Sequence, residues 1–174
     1  MCADWLKSLL GILSLLWVAM PSSQAAAGVF GWVEKAYVPA LGVTTKAKMD
    51  SGALTSSVHA DNVERFRRDG EKWVRFTITL TDTETDRLVT RTLERPFVRR
   101  IRLSGAGGVD RRLVVMLNIC IGKQLLHEQF SLSDRSDKIY GLLIGRRTME
   151  RMGLLDISKT FTMQPHCSGG SRDR

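Results

Sequence analysis

One stretch of this chain has the residue types for acid–base work on water. Asp50-Ser51-Gly52-Ala53 sets a carboxylate beside a hydroxyl and two small residues. The preceding Thr44–Met49 reads as a strand, so Asp50 leaves its end and reaches the mouth of whatever the strand builds. Gly52 lets the backbone turn sharply where a side chain would clash. Ala53 is small enough for a second copy of the turn to approach. The Ser51 hydroxyl can hydrogen-bond across to that copy and fix both carboxylates. Hydrolysis by carboxylates needs two of them: one ionised to take a proton from water, one protonated to donate to the reacting carbonyl. The chain has one Asp-Ser/Thr-Gly turn, so the second carboxylate must come from a second chain. The plain alternative is an Asx-type turn between strands. Average composition gives such a tripeptide in roughly one chain in ten of this length, so the tripeptide alone does not decide.

A second segment adds weight. Gly141-Leu142-Leu143-Ile144-Gly145-Arg146-Arg147 is an apolar strand ending in Gly-Arg, followed by a short helical stretch from Thr148 to Met152. With Lys46-Ala47-Lys48-Met49-Asp50-Ser51-Gly52-Ala53-Leu54-Thr55-Ser56-Ser57-Val58-His59-Ala60, it resembles the bacterial retropepsin-like aspartic endopeptidases. That family has also carried an ATP-dependent zinc protease label. The resemblance covers roughly Gly31 to Met163. It implies an all-β fold, a retropepsin-like closed β-barrel with one or two short helices, and a homodimer with one active site. Asp50, Ser51 and Gly52 would form the catalytic turn, with Leu143, Ile144, Gly145 and Arg146 threading behind it. In the viral relatives the Arg after the Gly meets an acid just beyond the turn. Here that neighbourhood is Leu54-Thr55-Ser56, with no acid before Asp61. The Gly-rich run Ser104–Gly108 is read first as a hairpin turn; a flap over substrate, using Ala53, Gly105, Gly107 and Gly108, is the second reading.

Zinc and ATP find no support in the residues. The three His, at 59, 127 and 166, form no His-Glu-x-x-His pattern. His59 is read as a hydrogen-bonded structural residue near the barrel wall rather than a ligand, for want of companions. Gly105-Ala106-Gly107-Gly108 lacks the Lys-Ser/Thr of a phosphate-binding loop. No cofactor is therefore expected.

The elements that must position Asp50 are mostly strands. Gly31–Val38, Val43–Met49, Val74–Leu80, Leu88–Leu93, Val98–Leu103, Arg112–Ile121, Gln124–Leu132 and Tyr140–Ile144 alternate or run apolar between turn signals. Two short strands, Leu154–Ile157 and Thr160–Met163, close the chain. Helices are expected at Asp61–Arg68, with Asp61 as N-cap and Gly70 as stop, and at Arg146–Met152.

Residues 1–27 read as a secretory signal: Lys7, an apolar run from Ser8 to Met20, then Pro21 and small residues at cleavage spacing. The run is too short for a comfortable membrane span. Residues 28–164 are then the protease domain and 165–174 a disordered tail. The expected location is periplasmic or otherwise exported, with no stable membrane anchor once the signal is removed. Cys120 and Cys167 could pair there, or Cys120 could be a small buried core residue. The formal net charge is +8, spread over Arg pairs at 67–68, 99–100, 111–112 and 146–147. Export argues against nucleic acid as the partner; a peptide or protein substrate and a second copy of the chain are the expected ones. Two other function classes compete with the peptidase: a non-catalytic periplasmic module binding peptides or an envelope partner, and a binder of anionic polymers.

Overall fold

The computed structural model describes residues 28–105 and 108–167. The expected signal segment, Gly107 and residues 168–174 lie outside them. The strands are β1 (Gly28–Val38), β2 (Val43–Asp50), β3 (Ser56–Arg68), β4 (Glu71–Thr81), β5 (Leu88–Pro96), β6 (Arg99–Gly105), β7 (Gly108–Ile121), β8 (Gln124–Ser133), β9 (Leu142–Gly145) and β10 (Gly153–Thr160). One helix, α1 (Arg146–Met152), stands among the described residues.

The strands pair in the order β10-β1-β2-β9-β3-β8-β7-β6, and β1 also pairs with β7. That extra pairing, Ala36 to Ile121 and Tyr37 to Cys120, closes a ring running β1-β2-β9-β3-β8-β7 and back to β1. The expected barrel is present. Closure removes free edges from these strands, which would otherwise expose unpaired backbone groups. Alternation fills the inside: Ala36, Val38, Ala47, Met49, Val58, Ile119, Phe130, Leu142 and Ile144 are all buried.

The β4–β5 hairpin lies off this path and continues the outer half of β3. Val74, Phe76, Ile78 and Leu80 alternate inward and join the same core. Here the structure corrects the sequence reading: Asp61–Arg68 is not a helix but the second half of β3. Phe66 pairs with Trp73 and Arg68 with Glu71. Asp69 and Gly70, both at positive φ (49° and 82°), form the tight turn between them. The Gly read as a helix stop is a hairpin turn residue. A two-turn helix has too few internal bonds to stand alone, whereas strand pairing completes the ladder. Arg68 also lies over the Trp73 ring, 4.4 Å from its centroid.

The chain's end differs too. The two short closing strands are one, β10, parallel to β1, and Phe161 at φ 52° breaks it. The residues after β10, including the described start of the expected 165–174 tail, are held on the barrel. Thr162 and Met163 donate to the Glu34 carboxylate, His166 N–H donates to Gly122 O, and Cys167 is disulfide-bonded to Cys120. Of the two readings left open for Cys120, the disulfide is the one formed.

Candidate active site

Asp50 ends β2, where its backbone lies beside Gly145 in the parallel β2–β9 ladder. β9 runs between β2 and β3, parallel to the first and antiparallel to the second. The chain thus leaves β2 at Asp50, turns, and re-enters the sheet as β3 on the far side of β9. This arrangement requires close passage at the crossing point. A Cβ on Gly145 would stand 2.7 Å from the Thr55 carbonyl carbon and 2.9 Å from Ser56 N. Only glycine fits there.

The turn is tied down by hydrogen bonds. Gly52 N–H donates to Asp50 Oδ1 at 3.0 Å, and Ala53 N–H to Asp50 O at 3.1 Å. Behind it, Arg146 N–H donates to Ala53 O at 2.8 Å and Arg147 N–H to Leu54 O at 3.3 Å. The Ser56 hydroxyl accepts from Gly145 N–H at 3.1 Å and meets the Thr148 hydroxyl at 2.9 Å. Arg146 therefore has a partner after all: its guanidinium donates to Ser51 O at 2.6 Å. A backbone carbonyl takes the place of the acid that the sequence lacks.

The Asp50 side chain remains 27 % exposed, with Lys48 Nζ 3.9 Å from Oδ2. Ser51 and Gly52 are exposed beside it and Ala53 is half-buried. Leu143 and Ile144 support the turn from β9 and are buried. One described chain supplies one such carboxylate, as the sequence implied.

Over the turn lies a cavity of about 380 Å³. Its floor is the turn from Gly52 to Thr55 with Ser57, Ser131 and Leu143; its roof is Ile101 and Leu103 of β6. Arg99, Arg102, Arg112, Arg135 and Arg147 all reach its walls. β6 and β7 form a hairpin whose last described pair is Gly105 with Gly108. The described ends of the Gly-rich run, Gly105 and Gly108, are thus paired across the β6–β7 hairpin, in line with the first reading, and the same hairpin lines the cavity. A larger cavity of about 470 Å³ lies across the 134–141 loop, walled by Thr45, Thr79, Thr83, Leu88, Lys138 and Ile139 among others. It is larger but does not touch the catalytic turn, so the smaller cavity is the candidate substrate cleft.

The Arg cluster is the feature that sequence reading missed as a site. Three of the sequence pairs each send one member to the cleft: Arg99, Arg112 and Arg147. Arg100 and Arg111 are not among the lining residues and are exposed. Only tertiary pairing brings Arg99, Arg112 and Arg147 to one place with Arg135. Arg99 is braced by Nε donating to Gln129 Oε1 at 2.8 Å and by a 3.1 Å bond to the Thr55 hydroxyl. Arg135 is braced through Nε to Tyr140 O at 3.0 Å. Burial first, then the charge of Arg112, lowers the Arg135 pKa from its ordinary value, while Asp50 acts in the opposite direction. It stays protonated all the same.

His59 works on that loop rather than on substrate. Its Nδ1 accepts the Arg135 backbone N–H at 2.9 Å, so the proton of the neutral ring sits on Nε2, 3.1 Å from Asp61 Oδ2. Asp134 completes a His59, Asp61 and Asp134 group that has the donor types for a metal ion. The fit is poor: the carboxylates face opposite ring nitrogens, and Nδ1 is already taken. The Asp134 carboxyl is held below its usual range by hydrogen bonds from the Ser136 N–H and then the Ser136 hydroxyl.

Against this geometry, a family model described as retropepsin-like aspartic endopeptidase RimB matches residues 29–166. The chain belongs to the RimB-like family. The probable alpha-L-glutamate ligase of Shewanella halifaxensis is 34 % identical over 136 residues, covering 78 % of this chain and 30 % of that protein. Its counterpart in Desulfotalea psychrophila is 33 % identical over 137 residues, covering 78 % and 29 %. This RimB-like chain thus spans about 30 % of the length of those relatives. A solved Legionella pneumophila protein of unknown function (DUF785) superposes with a TM-score of 0.67 at 28 % identity, covering 80 % of this chain and all of that one.

Proposed function

We propose that this chain is an aspartic endopeptidase that works as a homodimer on acidic peptides outside the cytoplasm. The carrying observation is the Asp50 turn, locked from behind by β9 and opening onto a cleft walled by five Arg. Asp50 from each subunit would hold one water between them. Carboxylates about 3 Å apart cannot both ionise readily, so the pair shares a proton. The ionised member takes a proton from water as it attacks the peptide carbonyl. The protonated member donates to the carbonyl oxygen, stabilising the tetrahedral intermediate. The roles belong to the pair.

Substrate acidity is supported by the Arg walls, since guanidinium pairs carboxylates with directional hydrogen bonds. The names of the relatives support the same reading, since the matched region belongs to proteins named probable alpha-L-glutamate ligases. Export is supported by the 1–27 signal pattern and by the Cys120–Cys167 disulfide, which suits an oxidising compartment.

The test is cleavage of an acidic peptide library by the mature chain, wild type beside Asp50→Asn, between about pH 4 and 7 where a shared-proton pair works. Cleavage by wild type alone is expected. Cleavage by both would mean another nucleophile. Cleavage by neither, in a preparation that sediments as a dimer, would leave a peptide-binding module as the function.

A further inference from the structure

The floor of the cleft holds a polar atom with nothing to bond to. Ser57 is 3 % exposed, and its hydroxyl has no hydrogen-bond partner among the described residues. No other buried side-chain nitrogen or oxygen among those residues is left in that state. An unmade bond of this kind costs about 1–3 kcal/mol in a folded protein, and buried polar groups are bonded in the great majority of cases. The exception stands beside the catalytic turn.

Strand register fixes where this hydroxyl looks. Ser57 pairs with Leu143 on one side and Ser131 on the other, so the three side chains share one face of the sheet, and all three line the cleft. Ser56, its neighbour, faces the opposite way and bonds Gly145 N–H and Thr148. The local structure therefore needs one of the two hydroxyls and leaves the other unused.

Around Ser57 the cleft is short of negative charge. Arg135 and Arg112 are close enough for each to repel the other. Arg112 has Asp110 as a partner at 2.5 Å, but the side-chain bonds of Arg135 and Arg99 go to a carbonyl, an amide and a hydroxyl, all neutral. No acidic residue is among the described residues that line the cleft, and Asp50 stands at the end of β2, at the start of the turn beside it. A buried hydroxyl that can donate, in a cleft lined also by two braced guanidinium groups, offers the kind of donor set that a carboxylate takes up.

We propose that Ser57, with Arg99 and Arg135, forms the subsite that receives the side-chain carboxylate of one substrate residue beside the scissile bond, and that Ser57 sets the preference for that residue. Ser57 O–H donates to one carboxylate oxygen, and the guanidinium groups hold the other. The hydroxyl is thus satisfied only when substrate is bound. This rests on the peptidase reading for its kinetic form, but the subsite can be tested without turnover.

Two peptides serve as probes: a short alanine-rich peptide carrying one glutamate, and its counterpart with alanine in that place. Ser57→Ala should cut the glutamate-over-alanine ratio of kcat/KM by roughly 10- to 100-fold, the range for a hydrogen bond to a charged group. Ser57→Thr, which keeps the hydroxyl, should restore most of it. The same ratio should fall in equilibrium binding to Asp50→Asn protein carrying Ser57→Ala, measured by calorimetry. Removing an unbonded hydroxyl should leave the thermal midpoint unchanged or raised, which checks that the variant folds. An equal loss on both peptides, or no loss on either, would overturn the subsite. If wild type binds glutamate peptide but cleaves nothing, the peptidase reading fails while the binding ratio still decides the role of Ser57.

Discussion

At the residue scale, the Asp50 turn depends on a few contacts that can be removed singly. Asp50 accepts one backbone bond, from Gly52, and is partly exposed. Asparagine keeps an acceptor oxygen there, so Asp50→Asn should abolish cleavage while changing stability by no more than about 0.5 kcal/mol, read from chemical denaturation. Gly145→Ala should behave differently. Its Cβ meets backbone at 2.7 Å rather than a side chain that can swing away. Overpacking of that kind costs about 1–3 kcal/mol, and here it would also push the Asp50 turn out of place. Loss of both stability and activity is expected, measured by melting and by peptide cleavage. Ser56 is the intermediate case: Ser56→Ala leaves the buried Gly145 N–H without its acceptor, at about 1–3 kcal/mol.

At the element scale, the order β2-β9-β3 is what turns a strand end into a site. β9 is four residues long and buried throughout, so it acts as a fixed wedge between the strand that delivers Asp50 and the strand that carries Ser57. The C-terminal segment is a second device. Glu34, fully buried, accepts from Gly31 N–H, Thr162 N–H and hydroxyl, and Met163 N–H. The disulfide then fastens Cys167 to β7 across 47 residues of chain. Cys167→Ser should lower stability by about 2–4 kcal/mol, the usual range for a disulfide closing a loop of this size, seen as a lower denaturation midpoint without loss of the barrel's circular dichroism.

At the scale of the whole molecule, the formal charge of +8 becomes meaningful through its distribution. Arg residues from separate strands line one cleft beside the Asp50 turn and give it a positive potential. Salt should therefore weaken cleavage of acidic peptides far more than of neutral ones, since the Debye length falls from about 10 Å at 0.1 M to 3 Å at 1 M. Parallel kcat/KM measurements at the two salt levels check this. In the proposed homodimer the site is shared between two chains, which ties activity to dimerisation. Specific activity should rise with protein concentration until the dimer is saturated, and an excess of Asp50→Asn chain should poison wild type by forming mixed dimers with one carboxylate short.

The sequence by itself determined the family resemblance and most of the elements. Asp50-Ser51-Gly52 and Leu143-Ile144-Gly145-Arg146 are short, contiguous and each demanded by local geometry, so the Asp50 turn and the strand beside it were readable. Period-two burial marked the strands, because alternation is a property of a single chain segment. It failed at Asp61–Arg68, where the residues carry charge on both faces and only pairing with β4 selects a strand. Tertiary structure alone decided the rest. It chose Ser51 O as the partner of Arg146, brought Cys120 and Cys167 together, and gathered single Arg from separate strands into one cleft. It also left the Ser57 hydroxyl unbonded at the floor of that cleft. Each of these depends on which distant segments become neighbours, and no local pattern of side chains encodes that.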